Sequence, residues 1–473
     1  MPLTSTGSPG SIPSPCTESR IAHLLAVAYA LFGTVAIVLL ATTMPPFQNP
    51  DELSHFLRAA HVADGRWVGQ RFSRREADGT MAIGAGGLSD PAIVAAYKPF
   101  GALPFHADTR VTRSALAIEV PWSGRREPAD FANTAIYPPF LYLPAAAGVL
   151  VGRASRMPVG QTLILTRIAT GLCALAAGVA AIAWAGGMAP PIFALLTLPM
   201  SFALTASPSQ DASILGCAAL VGSLFARAVR EPDARNRWRL GGLTLVLSAI
   251  AMARPPYAAL ALLALAVPAV RARWRILAAV TIAGSAGLWS SYAAIHAMTD
   301  LGAAGGADPA AQIAFLMAHP FTVFDVARQT LDHYGWEYLE GFLGRLGWYD
   351  VPLPASYRDA ALAMLGIAVL AAGSGARVRA GAAATGIVAI GISIAAMFGA
   401  FWVGWTPPGG MIVEGVQGRY FLPLALAGAG LLPALAGHWA ARPRALLVAA
   451  TLGFPVVTMA VTIRAIIMRY YLE

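Results

Sequence analysis

Asn49 to His61 reads NPDELSHFLRAAH, and it sets two adjacent carboxylates, a histidine and an arginine directly after the first long apolar stretch. If Pro50 opens a helix, as proline favours, Asp51, His55 and Arg58 follow at spacings of four and three and share one face. Glu52 and His55 are likewise three apart. A carboxylate can act as a general base or hold a divalent cation, a histidine can assist either, and an arginine can hold a phosphate. The plainer alternative is a pair of acids at a helix N-terminus, where the dipole favours them. Asp-Glu-x-x-His is not the zinc-protease pattern, which requires histidine at its first position.

Three further stretches carry residues of the same kind. TASPSQDAS places Asp211 at the start of an apolar helix, as a candidate acceptor or metal ligand or as a first-turn acid beside the capping serines Ser207 and Ser209. Arg254-Pro-Pro-Tyr257 and EGVQGRYFLPL, which holds Arg419, each offer a cation for a phosphate, or else an interfacial anchor. DHYGWEYLEGFLGRLGWYDVPLP interleaves acids with aromatics, the pattern of an outer helix with an aromatic belt.

The elements that position these residues are set by composition. Of 473 residues, 57% are hydrophobic and 12% charged, more apolar surface than a soluble domain can bury, so the chain is a polytopic α-helical membrane protein. The net charge of +9 comes from arginines in short inter-helix loops, which reads as topology signal and excludes a nucleic-acid partner. Cys16, Cys173 and Cys217 form neither a disulfide framework nor a metal-ligand spacing.

Apolar length predicts eleven crossings: Ile21–Thr43, Gln161–Trp184, Met188–Ala206, Asp211–Arg227, Leu240–Ala253, Tyr257–Val270, Ile276–Ala297, Tyr357–Ala372, Ala380–Trp402, Tyr420–Gly437 and Ala445–Ile463. Residues 1–19 are expected to be a disordered cytoplasmic tail, and 20–473 one membrane domain with outer loops 44–160, 298–356 and 403–419. With the N-terminus inside, the clusters Arg227/Arg230/Arg235/Arg237/Arg239, Arg271/Arg273/Arg275, Arg377/Arg379 and Arg442/Arg444 all fall on the cytoplasmic side. This requires the apolar stretch from Pro138 to Leu150 to lie along the outer surface, and Leu240–Val270 to be a hairpin with Arg254 and Tyr257 at its tip. The C-terminus then lies outside, against which Arg464 and Arg469 stand as exceptions. The first outer loop, rich in aromatics, is expected to form an ordered cap of small helices and turns.

On this topology Asp51, Asp211, Arg254 and Arg419 all arrive at the outer face, while the span interiors hold almost no ionisable residue, Arg167 being the clearest exception. Ion-coupled transport normally needs such groups deep in the bilayer. The pattern points instead to an enzyme working at the interface.

PPFQNPDELSHFLRAAHVADG, the Arg-Pro-Pro-Tyr tip, GRLGWYDVPLP and GVQGRYFLPL together resemble the bacterial membrane proteins of domain of unknown function 2142, from about Ile21 onward. That family in turn resembles the GT-C superfamily of glycosyltransferases, which take sugar from a polyprenyl-phosphate donor on the outer face of the cytoplasmic membrane. The resemblance implies a GT-C-like bundle with juxtamembrane helices in the first outer loop. It implies Asp51 as catalytic base with Glu52 beside it, and Asp211 and His55 at the acceptor or a metal. It also implies Arg254, Tyr257, Arg419 and Arg58 around the donor phosphate. A divalent cation, Mg²⁺ or Mn²⁺, held by Asp51, His55 and Asp211 is one open reading, and simple proximity of the three is the other. The acceptor would be a glycan, a lipid or a protein of the cell envelope, with membrane lipid as surroundings. The competing functions are a flippase or export component, which predicts a polar path between helices, and a non-catalytic scaffold for envelope polysaccharide assembly.

Overall fold

A computed structural model describes residues 15–75, 81–106, 108–299, 305–373, 378–433 and 441–472. The principal helices are α1 (Pro15–Thr43), α2 (Glu52–Ala63), α3 (Leu143–Ala154), α4 (Val159–Trp184), α5 (Ala189–Leu196), α6 (Pro199–Thr205), α7 (Gln210–Arg230) and α8 (Asn236–Ala253). They continue with α9 (Ala272–His296), α10 (Pro309–Ala318), α11 (Thr322–Leu343), α12 (Ala355–Ala371), α13 (Ala380–Gly404), α14 (Leu422–Gly428) and α15 (Ala441–Tyr470). Among the described residues six helices are long and apolar enough to cross a membrane: α1, α4, α7, α9, α13 and α15. Up to eight qualify if each of two bent pairs forms one span.

Those six coincide with six of the eleven expected crossings, and the other five differ for local reasons. Met188–Ala206 is not straight, because the chain turns by 79° between α5 and α6, where Pro199 starts a new helix. The return arm of the 240–270 hairpin is a 3₁₀ segment, Pro255–Ala261, and one further turn; it starts at paired prolines, before which Arg254 is extended (φ −136°, ψ 83°), so α8 does not run on through the tip. Asn236 nevertheless donates to the Pro268 carbonyl at 2.8 Å, so the hairpin closes at its base. Tyr420–Gly437 begins as a 3₁₀ turn and a seven-residue helix, α14, and residues 434–437 lie outside the described residues. The two others are shorter or more charged helices, α12 and α8. The second bent pair, α10 and α11 at 117°, lies where an outer loop was expected.

Two more expectations need correction. Residues 15–19 of the expected tail belong to α1, and residues 1–14 and Arg377 lie outside the described residues. The segment expected to be a first outer loop of small helices and turns also holds strands: β1 (Gln70–Arg75), β2 (Met81–Ser89) and β3 (Glu127–Asp130) form an antiparallel sheet in that order.

Small residues let the central helices approach closely. A Cβ on Gly171 of α4 would stand 2.8 Å from Ile37 of α1, and one on Gly148 of α3 would stand 2.7 Å from the Thr166 backbone. This packing makes α3 a twelve-residue helix laid against α4, too short to cross by itself. α7 is the most enclosed of the six long helices. Contacts also fix relative directions. Glu18 pairs with Arg444 at 2.6 Å where α1 and α15 begin, and the Tyr471 hydroxyl donates to the Thr43 carbonyl at 2.8 Å where both end. The two helices therefore run parallel.

Candidate functional site

Helix α2 starts at Glu52, two residues later than a Pro50 start would give, and Asp51 precedes it in the left-handed conformation (φ 56°, ψ 19°). Asp51 stands at the N-cap position, where the dipole favours a carboxylate, but its side chain makes no capping bond to the helix. Aspartate tolerates this region better than most residues, but the conformation still costs energy and turns the carboxylate away from the helix axis. Asp51 accepts instead from Arg419 Nη2 and from Asn133 Nδ2, both at 3.2 Å, and stays about one third exposed.

The neighbouring PPFQNP loop is held from several sides. Arg167 in α4 donates to the carbonyls of Ala41, Met44 and Pro45 at 2.8–2.9 Å, Gln48 donates to the Phe100 carbonyl at 3.2 Å, and the Trp348 ring N–H reaches the Phe47 carbonyl at 3.4 Å. Pro45 has no N–H to offer the Ala41 carbonyl, so the guanidinium supplies the donor that α1 lacks at its end. Glu52 completes the arrangement through a bidentate pair with Arg167 at 2.7 and 2.6 Å and a bond from the Asn49 side chain at 2.9 Å. Both members of the pair are fully buried. Glu52 thus points into the scaffold while Asp51 points out of it.

Asp211 lies in the first turn of α7, behind Ser209, whose hydroxyl accepts from the Asp211 N–H at 3.1 Å. The serine cap foreseen from sequence is present, and the Asp211 carboxylate is free to take Arg254 Nη2 at 2.7 Å. Arg254 closes α8 and lies over two rings, Tyr137 at 5.4 Å and Tyr420 at 5.0 Å. Tyr257 donates to the Tyr420 carbonyl at 2.6 Å, tying the hairpin tip to the turn that carries Arg419. Arg419 is 4% exposed, and its Nε is buried without a partner.

His55 lies between the two acid–arginine pairs. Its ring stacks on Tyr137 at 6.5 Å, Nδ1 bonds with the Tyr142 hydroxyl at 2.7 Å, and Nε2 with the Ser209 hydroxyl at 3.0 Å. A neutral imidazole has one N–H, so one hydroxyl donates to the ring and the other accepts from it. Burial pushes its pKa down to about 4; Asp211 and Asp51 raise it and Arg254 and Arg419 lower it, which places all four charges in one field. Arg58 is elsewhere. Fully buried, it bonds His61 and the carbonyls of Trp67 and Tyr137 at 2.8 Å, so it holds the Tyr137 backbone from behind.

The structure therefore gathers Asp51, His55, Asp211, Arg254, Tyr257 and Arg419 at one end of the bundle and directs Glu52 and Arg58 into the scaffold. Sequence reasoning missed Asn133, Tyr137, Tyr142 and Tyr420 as members of this cluster. Asn133 comes from a four-residue helix placed by the sheet, through the bond from Phe131 N–H to the Ala85 carbonyl at 2.9 Å, and nothing in the residue order announces it. A divalent cation does not fit the donors as they stand. Among the described residues no three His, Cys, Asp or Glu side chains are grouped to hold one, each carboxylate already faces an arginine, and both His55 nitrogens are engaged. Beside the cluster opens a mostly apolar cleft of about 790 Å³, lined by Arg71, Ile136, Phe401 and Trp405 among others. Ile136 adjoins Tyr137 in the chain, and Phe401 stacks on Tyr420 at 5.8 Å.

No curated protein and no solved structure matches this chain. The segments that build the cluster and the long helices α4, α7, α9 and α13 fall within one family model, which matches residues 34–427, and the chain belongs to that family, the predicted membrane proteins of domain of unknown function 2142.

Proposed function

We propose that the protein is a membrane glycosyltransferase that moves a sugar, with inversion, from a polyprenyl-phosphate donor to an envelope glycan, lipid or protein acceptor on the outer face of the cytoplasmic membrane. The observation that carries this reading is Asp51: a carboxylate in a left-handed backbone, unused as a cap, partly exposed, and set beside Arg419 in the same field as Arg254. The unpartnered Arg419 Nε and the apolar cleft beside Tyr420 support a donor that carries both phosphate and hydrocarbon. In this reading Asp51 takes the proton of the acceptor hydroxyl, and that oxygen bonds to the anomeric carbon as the bond to the phosphate oxygen breaks. The lipid phosphate leaves with the electron pair, and Arg419 and Arg254 meet its charge. No step runs through a metal. Glu52 and Arg58 hold the frame. A GT-C-like bundle of eleven crossings remains the arrangement in which the arginine clusters all face the cytoplasm.

One observation favours a second reading. Each acid at the site is already paired with an arginine, as a scaffold without chemistry would also have it. Glycan analysis of the envelope in a deletion strain, complemented with wild type or Asp51→Asn at matched expression, separates the two. The transferase reading expects the asparagine protein to reach the membrane and fail to restore the missing sugar. Full restoration overturns it in favour of the scaffold.

A further inference from the structure

Two arginines near the end of α15 stand against the topology rule, and the structure accounts for one of them. Arg469 is buried, donating to Asp350 at 2.6 Å and to the carbonyls of Leu103, His106 and Thr109 at 2.8–3.0 Å, so it is a tertiary anchor rather than a topology signal. Arg464 has an exposed side chain and, among the described residues, neither a carboxylate nor a hydrogen-bond acceptor. It lines a groove of about 560 Å³ between α1 and α15 whose other walls are apolar, including Leu39, Met459, Ile463, Ile467 and Leu472. Six residues separate Arg464 from Tyr470, or ~9 Å of helix rise, so the guanidinium lies about two turns inside the end shared by both helices. An unpaired cation facing hydrocarbon is costly even near a helix end, and a counter-charge from the bilayer removes that cost.

We propose that the groove between α1 and α15 is a binding site for an anionic glycerophospholipid, with its phosphate on Arg464 and an acyl chain along Leu39, Met459, Ile463 and Ile467. The phosphodiester matches a guanidinium by charge and by paired acceptors. Among the described residues that line the groove there is no acidic side chain to receive the ammonium of a zwitterionic lipid, which favours a headgroup with net negative charge. The site is separate from the Asp51–Arg419 cluster, and no lining residue belongs to that cluster.

The test is native mass spectrometry of the full chain, purified with phosphatidylglycerol or with phosphatidylcholine. Wild type should retain phosphatidylglycerol at least roughly ten-fold better than the Arg464→Gln variant, as expected for one charge-assisted contact, with no such difference for phosphatidylcholine. Ile467→Trp, which fills the groove and keeps the charge, should lose the lipid as well, and it decides the matter alone if Arg464→Gln does not purify. Equal retention by wild type and the purified variants means that Arg464 merely reaches the bulk headgroups, and overturns the site. Displacement by polyprenyl monophosphate at equal concentration overturns the assigned lipid class.

Discussion

Replacing Glu52 separates the role suggested by its place in the motif from the role given by its contacts. The Arg167 guanidinium has five N–H groups, and all five are used: Nε and one Nη2 hydrogen on Glu52, two Nη1 hydrogens on Ala41 and Met44, and the remaining Nη2 hydrogen on Pro45. Glu52→Ala leaves two of them without an acceptor and the cation without a counter-charge, at a site where both partners are at most 1% exposed. Two charge-assisted hydrogen bonds at ~1.5–3 kcal/mol each give about 3–6 kcal/mol. The cost of removing one member of a buried ion pair, ~3–5 kcal/mol, falls in the same range. For a chain of this size, at ~2.1 cal/mol/K of unfolding entropy per residue, that is a melting temperature lower by about 3–6 °C.

The assay is a melt of the detergent-purified protein followed by size exclusion, run with Glu52→Ala, Glu52→Gln and the double variant Glu52→Leu/Arg167→Met. The alanine variant should fall furthest. The double variant should recover part of the loss, because no buried charge remains, and not all of it, because the Ala41, Met44 and Pro45 carbonyls lose their donor. The reasoning is refuted if Glu52→Ala melts with wild type yet fails to complement the deletion strain. Glu52 would then act on a substrate and not on Arg167.

Two further outcomes follow from the same geometry. Burial holds His55 near 4 against its ordinary 6.5, so between those values the unfolded chain binds a proton that the folded one does not. Stability from this group is therefore complete above about pH 6.5 and is lost as pH falls towards 4, by roughly 3 kcal/mol in all. His61, also pushed down to about 4 by burial and by Arg58, acts in the same direction, so His55→Gln should flatten the acid limb of the melting profile without abolishing it; an unchanged slope counts against a neutral His55 in the folded protein. The second concerns Gly418, whose added Cβ would meet the Tyr338 carbonyl, the Phe342 N–H and, at 2.7 Å, the Gly341 carbonyl carbon, all of them backbone that cannot give way. Gly418→Ala should destabilise the fold by the ~1–3 kcal/mol of an overpacked contact, read as a lower melting temperature, and displace Arg419 from Asp51, whereas Gly453→Ala, with nothing within 4 Å of its Cβ, should be neutral or slightly stabilising. Equal melts for the two variants would defeat the packing argument.

The long helices were legible because each depends on one property, an unbroken apolar run, which α1, α4, α7, α9, α13 and α15 all possess. The runs that broke did so at prolines, Pro199, Pro255 and Pro256, where apolar length says cross and the backbone says turn. The sheet left little trace: β1, QRFSRR, has no apolar face, and β2, MAIGAGGLS, is rich in glycines that read as loop.

The charged residues show where such reading stops. In so apolar a chain every ionisable side chain near a span stands out, and Asp51, Glu52, Asp211, Arg167, Arg254 and Arg419 were all visible. Which acid meets which arginine was not, because the pairing joins segments 43 to 368 residues apart. Helical spacing also misplaced Asp51. A period of 100° per residue applies from Glu52 onward, and Asp51 lies outside the helix in a left-handed conformation, so its direction is set by that one backbone angle and not by the face of α2. The same step explains how adjacent acids diverge. Glu52, the first helical residue, turns inward to a cation that would otherwise be stranded in α4, while Asp51, one peptide earlier, is released to the cluster around Arg419. Two neighbouring carboxylates of nearly identical chemistry thus take different work from a change in backbone conformation that composition and periodicity do not encode.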